Sequence, residues 1–338
     1  MRKFILKLFL VSLPITILIS LFLFLDPFRI IRKYDDYSNN QFVIPNRDFV
    51  SSEVFMKNKN KYNYNSFIFG SSRTIAYKTK SWKYFLPTSA SPFVFDASGE
   101  SIFGIYTKIT YLDKIGTNIN NCLLIICTDH TFSTESDSNG HLSIKHPKIA
   151  NTSWFNFYIV FMKDFLDFNF LKNYFQFLYT RKYVPSMNGY IEFRKIKYDT
   201  ITNDLWIIDQ ENEIKENPIN YYKKRKDIFY DRNTIVSPAK LQISKNKIAM
   251  LNEINAIFIK HHTNYKIIIS PLYNQIELNK SDLLTLQNIF GKNSVFNFSG
   301  KNKFTSKKEN YYEASHYRPI VGDSIMSIVY NKIALNNK

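Results

Sequence analysis

Cysteine is almost missing from this chain of 338 residues: only Cys122 and Cys127 occur. They flank one apolar run, and a strand there would point them to opposite faces, so they do not bridge each other within it. No Cys-x-x-Cys spacing and no histidine pattern surrounds them, so no metal is expected, and the sequence implies no cofactor. Acidic residues are also short, 28 against 45 Lys and Arg, which leaves a formal charge of +17. That balance favours contact with polyanions. The basic residues are nevertheless scattered, and the densest run, Lys223-Lys224-Arg225-Lys226, reads as a solvated face. With no zinc-finger, homeodomain or RNA-recognition signature beside it, nucleic acid is not an expected partner. Glycine is sparse, at 9, and no internal repeat is visible. Aromatic residues, in contrast, make up 17% of a chain that is 45% hydrophobic. Such a chain is not disordered and can bury a sizeable core.

The N-terminus carries Arg2, Lys3 and Lys7, then an uncharged run from Leu8 to Leu25. Its 18 residues reach the lower limit for spanning a bilayer. Pro14 is tolerable inside such a helix. The run ends in Phe-Leu-Phe-Leu-Asp-Pro without an Ala-x-Ala-like cleavage site. The expectation is an uncleaved signal-anchor over residues 1–25, touching lipid through residues 4–25. Arg29, Arg32 and Lys33 balance the basic residues before the run, so the positive-inside count is a tie. The short basic N-terminus and the long following domain suit a single pass with the main domain outside the cytoplasm.

Residues 26–64 are polar and read as a stalk and covering segment. From 65 to 338 short apolar runs alternate with helical spacing. Strand candidates are Ser66–Phe69, Phe93–Phe95, Cys122–Cys127, Tyr265–Ile269 and Val295–Phe298. Continuous β-branched and aromatic runs without alternation suit parallel strands buried on both faces. Helical stripes lie over 101–114, ending before a C-capping Gly116, and over 239–261, 282–290 and 320–335, the last with Ile325, Ile328, Val329 and Ile333. The expected fold is α/β, a three-layer doubly wound parallel sheet of flavodoxin-like type. Residues 131–235 break the alternation and read as an aromatic, mainly helical insertion.

The chemistry concentrates at two places. Phe67-Ile68-Phe69-Gly70-Ser71-Ser72-Arg73 ends a strand in Gly-Ser-Ser, where the glycine permits a sharp turn and a hydroxyl stands at the ligand-facing end of the sheet. Glu313-Ala314-Ser315-His316-Tyr317-Arg318-Pro319 sets a histidine three residues after a carboxylate, in a loop before a helix that starts at Pro319. The remaining histidines form no metal spacing; His261-His262 reads as solvent-facing, or as favoured by the helix dipole, at a helix end.

Together these two runs resemble the SGNH, or GDSL-like, hydrolase superfamily. The Gly-Ser-Ser variant is similar to its membrane-anchored branch, which includes the D-alanyl transfer protein of teichoic acids and the alginate O-acetylation proteins. The resemblance implies Ser72 as nucleophile, His316 as general base and Glu313 as the acid, where the family has Asp. It implies an oxyanion hole from the amides of Ser72 and Gly99. At the third block Cys127-Thr128-Asp129-His130 places Asp129 near the family's Asn. An ionised carboxylate donates no hydrogen bond, so either Thr128 or His130 would donate in its stead or Asp129 is displaced. Ser71, Arg73, Asp129 and Tyr317 are supporting candidates. The function implied is a cell-surface serine esterase or O-acyltransferase acting on a surface polysaccharide, served by a membrane-bound O-acyltransferase. The alternatives are a non-catalytic accessory of the same fold that binds glycan or that membrane partner, and an anchored scaffold.

Overall fold

The computed structural model describes residues 1–136, 140–232 and 237–331, without the side chains at 2, 3, 5, 6 and 8–11. Five of the described strands pair in parallel: β1 (Ser66–Gly70), β2 (Pro92–Asp96), β3 (Asn121–Ile126), β6 (Asn264–Ile269) and β7 (Val295–Asn297). Their spatial order is β2-β1-β3-β6-β7. Two short antiparallel hairpins lie outside this sheet, β4 (Ile196–Tyr198) with β5 (Leu205–Ile207), and β8 (Tyr311–Glu313) with β9 (His316–Tyr317).

Alternate strand residues enter two separate cores, as a pleated strand buried on both faces requires. Phe67, Phe69, Phe95, Leu124 and Ile267 point to one core, with α2 (Arg47–Tyr62), α4 (Ile102–Lys114), α10 (Lys245–Lys260) and α11 (Lys280–Phe290). Ile68, Val94, Leu123, Ile125 and Ile268 point to the other, with α3 (Thr79–Lys83), α8 (Ile208–Glu216), α9 (Pro218–Lys224) and α12 (Pro319–Val329). A parallel sheet with helices on its faces is therefore present. Between β3 and β4 lie α5 (Pro147–Ala150), α6 (Trp154–Phe165) and α7 (Phe168–Thr180).

The helix α1 (Arg2–Leu25) requires a correction. Among the described residues no helix is long and apolar enough to cross a membrane. Its last turn enters the protein core instead. Phe22 is 1% exposed and packs on Phe165 at 5.3 Å between ring centroids. Asp26 caps the helix at φ 42°, and its carboxylate accepts from the amides of Ile30 and Arg32 and from the Tyr34 hydroxyl. Apolar composition alone does not tell lipid from protein interior. The anchor over residues 1–25, the lipid contact through 4–25, the single-pass placement of the main domain outside the cytoplasm and the transmembrane part of the fold class are withdrawn. The polysaccharide and the membrane-bound partner rested on that anchor and go with it.

Helix α10 begins at Lys245, later than the stripe over 239–261 predicts. The Asp282 carboxylate accepts from the amides of Gln242 and Ile243 and holds that segment out of the helix, and Ser244 caps the start. Ile333 lies outside the described residues.

One buried charge cluster braces the end of β2. The Lys108 ammonium meets Glu100 at 2.5 Å, Asp48 at 2.9 Å and the Asp96 carbonyl at 2.9 Å, and Lys145 pairs with Glu100. Burial opposes ionisation of Asp48, but Lys108, Lys145 and the His146 amide outweigh it and lower its pKa to about 2. The folded-state value lies below the unfolded one, so this contribution to stability is full above the ordinary carboxylate range and is lost as pH falls towards 2. In acid titrations, Asp48→Asn is expected to flatten the loss of stability in that window; an unchanged pH slope would show that Asp48 does not carry it.

Candidate active site

Ser72 stands where β1 leaves the sheet. The strand order reverses between β1 and β3, and ligands meet open parallel sheets in the crevice outside the carboxyl ends of their strands at such a point. Gly70 has φ 151°, and a Cβ there would sit 2.8 Å from the Ile125 carbonyl oxygen. No other residue passes so close to β3 in that conformation. The chain then turns into a 3-10 helix, Ser72–Ala76, capped by Ser71, whose hydroxyl accepts from the Arg73 amide. The Ser71 Oγ lies 3.4 Å from Cys127 Sγ, which fixes Ser71 below the site rather than in it.

Glu313 and His316 are register partners in the β8–β9 hairpin, with Ala314 and Ser315 as its turn. The register slips between Tyr311 and Glu313. One Glu313 oxygen hydrogen-bonds His316 Nδ1, and the other accepts from the Ser315 amide at 2.6 Å. Burial opposes the Glu313 charge, but the bond and charge of His316, the Ser315 amide and the Arg194 charge hold its carboxyl below the usual carboxylate range. On its other side, His316 Nε2 lies 2.7 Å from Ser72 Oγ. Residues separated by more than 240 positions thus form one acid–imidazole–hydroxyl line.

The neighbouring groups hold this line in place. Arg73 Nη2 donates to Asp129 at 2.6 Å, and Arg73 Nε donates to the Ser315 carbonyl at 3.0 Å. Asp129 is thereby occupied by a cation, and Arg73, held by Asp129, tethers the hairpin that carries His316. Thr128 is buried, with its carbonyl bonded by Gln242, and His130 is half exposed, 3.5 Å from Asp129. Tyr317, in the hairpin strand β9, is buried, its hydroxyl donating to that of Tyr77 at 3.2 Å and lying 3.1 Å from Ser270 Oγ; burial raises its pKa. His261, read from the sequence as solvent-facing, pairs with Asp113 at 2.6 Å.

A cavity of about 70 Å³ opens on Ser72 and His316. Its wall includes Ser98, whereas Gly99 follows at φ 56° and is not part of that wall among the described residues. Sequence reasoning missed other residues that line this cavity: Arg47, Asp96, Arg194 and Tyr198. The one local signal was Asn46, whose side chain caps α2 by accepting from the Phe49 amide. The Arg47–Asp96 ion pair spans 49 positions and has no local signature.

The chain matches no family model and no curated protein. The resemblance to the membrane-anchored branch is therefore not upheld: neither of these two comparisons supports that identity, and the span the branch requires is absent among the described residues.

Proposed function

We propose that this protein cleaves acyl esters through a serine nucleophile, passing the acyl group to water or to another hydroxyl. The observation that carries this reading is the Ser72–His316–Glu313 line, with His316 Nε2 2.7 Å from the Ser72 hydroxyl. Ser72 Oγ attacks the ester carbonyl while His316 takes its proton. The Ser72 amide is the candidate donor to the developing oxyanion; Gly99, outside the cavity wall, is not assigned that role. Collapse of the tetrahedral adduct breaks the bond to the alcohol oxygen, which leaves with the proton from His316. A water or hydroxyl acceptor, deprotonated by His316, then frees the acyl group and restores Ser72. Glu313 holds the imidazole in the tautomer with its proton on Nδ1 and stabilises the imidazolium that forms.

Turnover of p-nitrophenyl acetate by the full chain tests the reading. In Glu313→Gln, kcat is expected to fall by about 10³- to 10⁴-fold, with a far smaller change in KM. Equal turnover by Glu313→Gln and wild type would remove the acid from the scheme. No turnover by the wild type above the uncatalysed rate would count against the whole reading.

A further inference from the structure

The cavity on Ser72 is small, and aliphatic side chains make up much of its lining. At about 70 Å³ it has room for about six groups the size of a water. Ile75 lines it from the turn that carries Ser72, and Ile44 and Pro45 from the segment before α2. Ile196, Leu205 and Ile207 come from the β4–β5 hairpin. The charged residues in the lining are spent on one another: Arg47 meets Asp96 at 2.6 Å, and Arg194 meets both Glu192 oxygens at 2.8 and 2.7 Å.

The hairpin stands as a wall with two faces. Side chains alternate along a strand. Ile196, Tyr198, Leu205 and Ile207 line the cavity on Ser72, whereas Lys197, Asp199 and Trp206 line a separate cavity. Ile196 and Ile207 are register partners, as are Tyr198 and Leu205, so both strands turn the same face to Ser72. The wall is also held in place. Its tip lies along β2, where the Val94 amide donates to the Thr202 carbonyl at 3.0 Å and Asn203 Nδ2 donates to the Val94 carbonyl at 2.6 Å. The Asp204 carboxylate accepts from the Thr79 amide at 3.0 Å, Lys78 donates to the Leu205 carbonyl, and the Tyr64 hydroxyl donates to the Ile201 carbonyl at 2.5 Å. At its open end the Ile208 amide donates to the Lys195 carbonyl at 2.9 Å. A wall so held yields little to an oversized group, and overpacking against it is costly.

We infer that the β4–β5 hairpin limits the length of the acyl chain, through Ile196, Leu205 and Ile207, and that the substrates are esters of short unbranched acids of up to about four carbons. This rests on the reading of Ser72 as an esterolytic nucleophile. The acyl group, rather than the alcohol, belongs in the cavity because it stays on Ser72 through both steps. The alcohol must leave past His316 and the acceptor must enter there. His316 follows the exposed turn residue Ser315, so that side opens to solvent. A butanoyl group, with five non-hydrogen atoms, fits the space for about six water-sized groups; a hexanoyl group, with seven, exceeds it.

The test compares kcat/KM of the full chain, by acid release at constant pH, along two series of esters below their solubility limits. One holds the alcohol fixed: ethyl acetate, butanoate, hexanoate and octanoate. The other holds the acid fixed: ethyl, butyl and hexyl acetate. Between ethyl butanoate and ethyl hexanoate a fall of about tenfold or more is expected, whereas the acetates are expected to agree within about threefold. In Ile196→Ala and in Leu205→Ala, both at half-buried positions, hexanoate is expected to gain about tenfold relative to acetate. Lys197→Ala, on the other face of the hairpin, is expected to keep the wild-type profile. An acyl series that is flat or rises with length overturns this inference and leaves the esterolytic reading standing. So does a steep fall with the length of the alcohol instead, or a wild-type acyl profile in both alanine variants of the wall. If no ester is cleaved in a Ser72-dependent way, the esterolytic reading fails and the role of the hairpin falls with it.

Discussion

Replacing Ser72 with alanine is expected to lower kcat for ester cleavage by about 10⁴- to 10⁶-fold. The variant loses the only atom in the line able to form the acyl bond, while the cavity wall around it is unchanged. His316→Ala is expected to fall by a similar factor, because a neutral hydroxyl without its base is a poor nucleophile. The double variant should be scarcely slower than either single one, since the residues act as a unit. The three rates, measured under one set of conditions, decide the matter. Additive losses would mean that Ser72 and His316 act separately, despite the 2.7 Å contact between them.

The second large effect is expected at Gly322, far from any substrate. A Cβ on Gly322 would lie 2.0 Å from the carbonyl oxygen of Ala76. Ala76 ends the 3-10 turn that begins at Ser72, and α12, which carries Gly322, follows the His316 hairpin directly. Backbone meets backbone at this point, so no side-chain rotation relieves the overlap, and the two segments that bear nucleophile and base must move apart. Gly322→Ala is expected to cost about 3 kcal/mol or more, at the upper end of overpacking effects. For a chain of this size that is a fall of roughly 4 °C in Tm. Activity should fall further than stability explains, by about 100-fold, because a shift of about 1 Å between reacting groups is that costly. The exposed neighbour Ile320 provides the control: Ile320→Ala should leave both Tm and kcat near wild type. A Gly322→Ala protein with wild-type Tm and turnover would contradict this packing.

The sheet was readable from sequence because runs such as Cys122–Cys127 are unbroken and apolar, the signature of burial on both faces. Ser72 and His316 were readable as a pair because each sits at a recognisable boundary, one after a strand and Gly70, the other before Pro319. Helix α2 was not: its apolar positions are interleaved with Ser, Asn and Lys, and it is held to the sheet by contacts such as Phe55 on Phe95 at 5.2 Å. Lys108 reads as a surface residue beside the apolar stripe of α4, yet it is fully buried because Asp48 and Glu100 meet it there. Arg47 was hidden for the same reason, its partners Asp96 and Asn203 lying 49 and 156 positions away. The N-terminal run misled in the opposite direction. Ile15, Ile17, Leu23 and Phe24 of that run are exposed, and the packing of Phe22 against Phe165 at its end is a long-range fact that local composition does not show.

The most direct test of the central claim is to treat the full chain with a fluorophosphonate and map the modified residue by peptide mass spectrometry. The account predicts one phosphonylated residue, Ser72, and loss of labelling in both Ser72→Ala and His316→Ala. A folded wild-type protein that takes no label, or one labelled at another residue with Ser72 untouched, would contradict it.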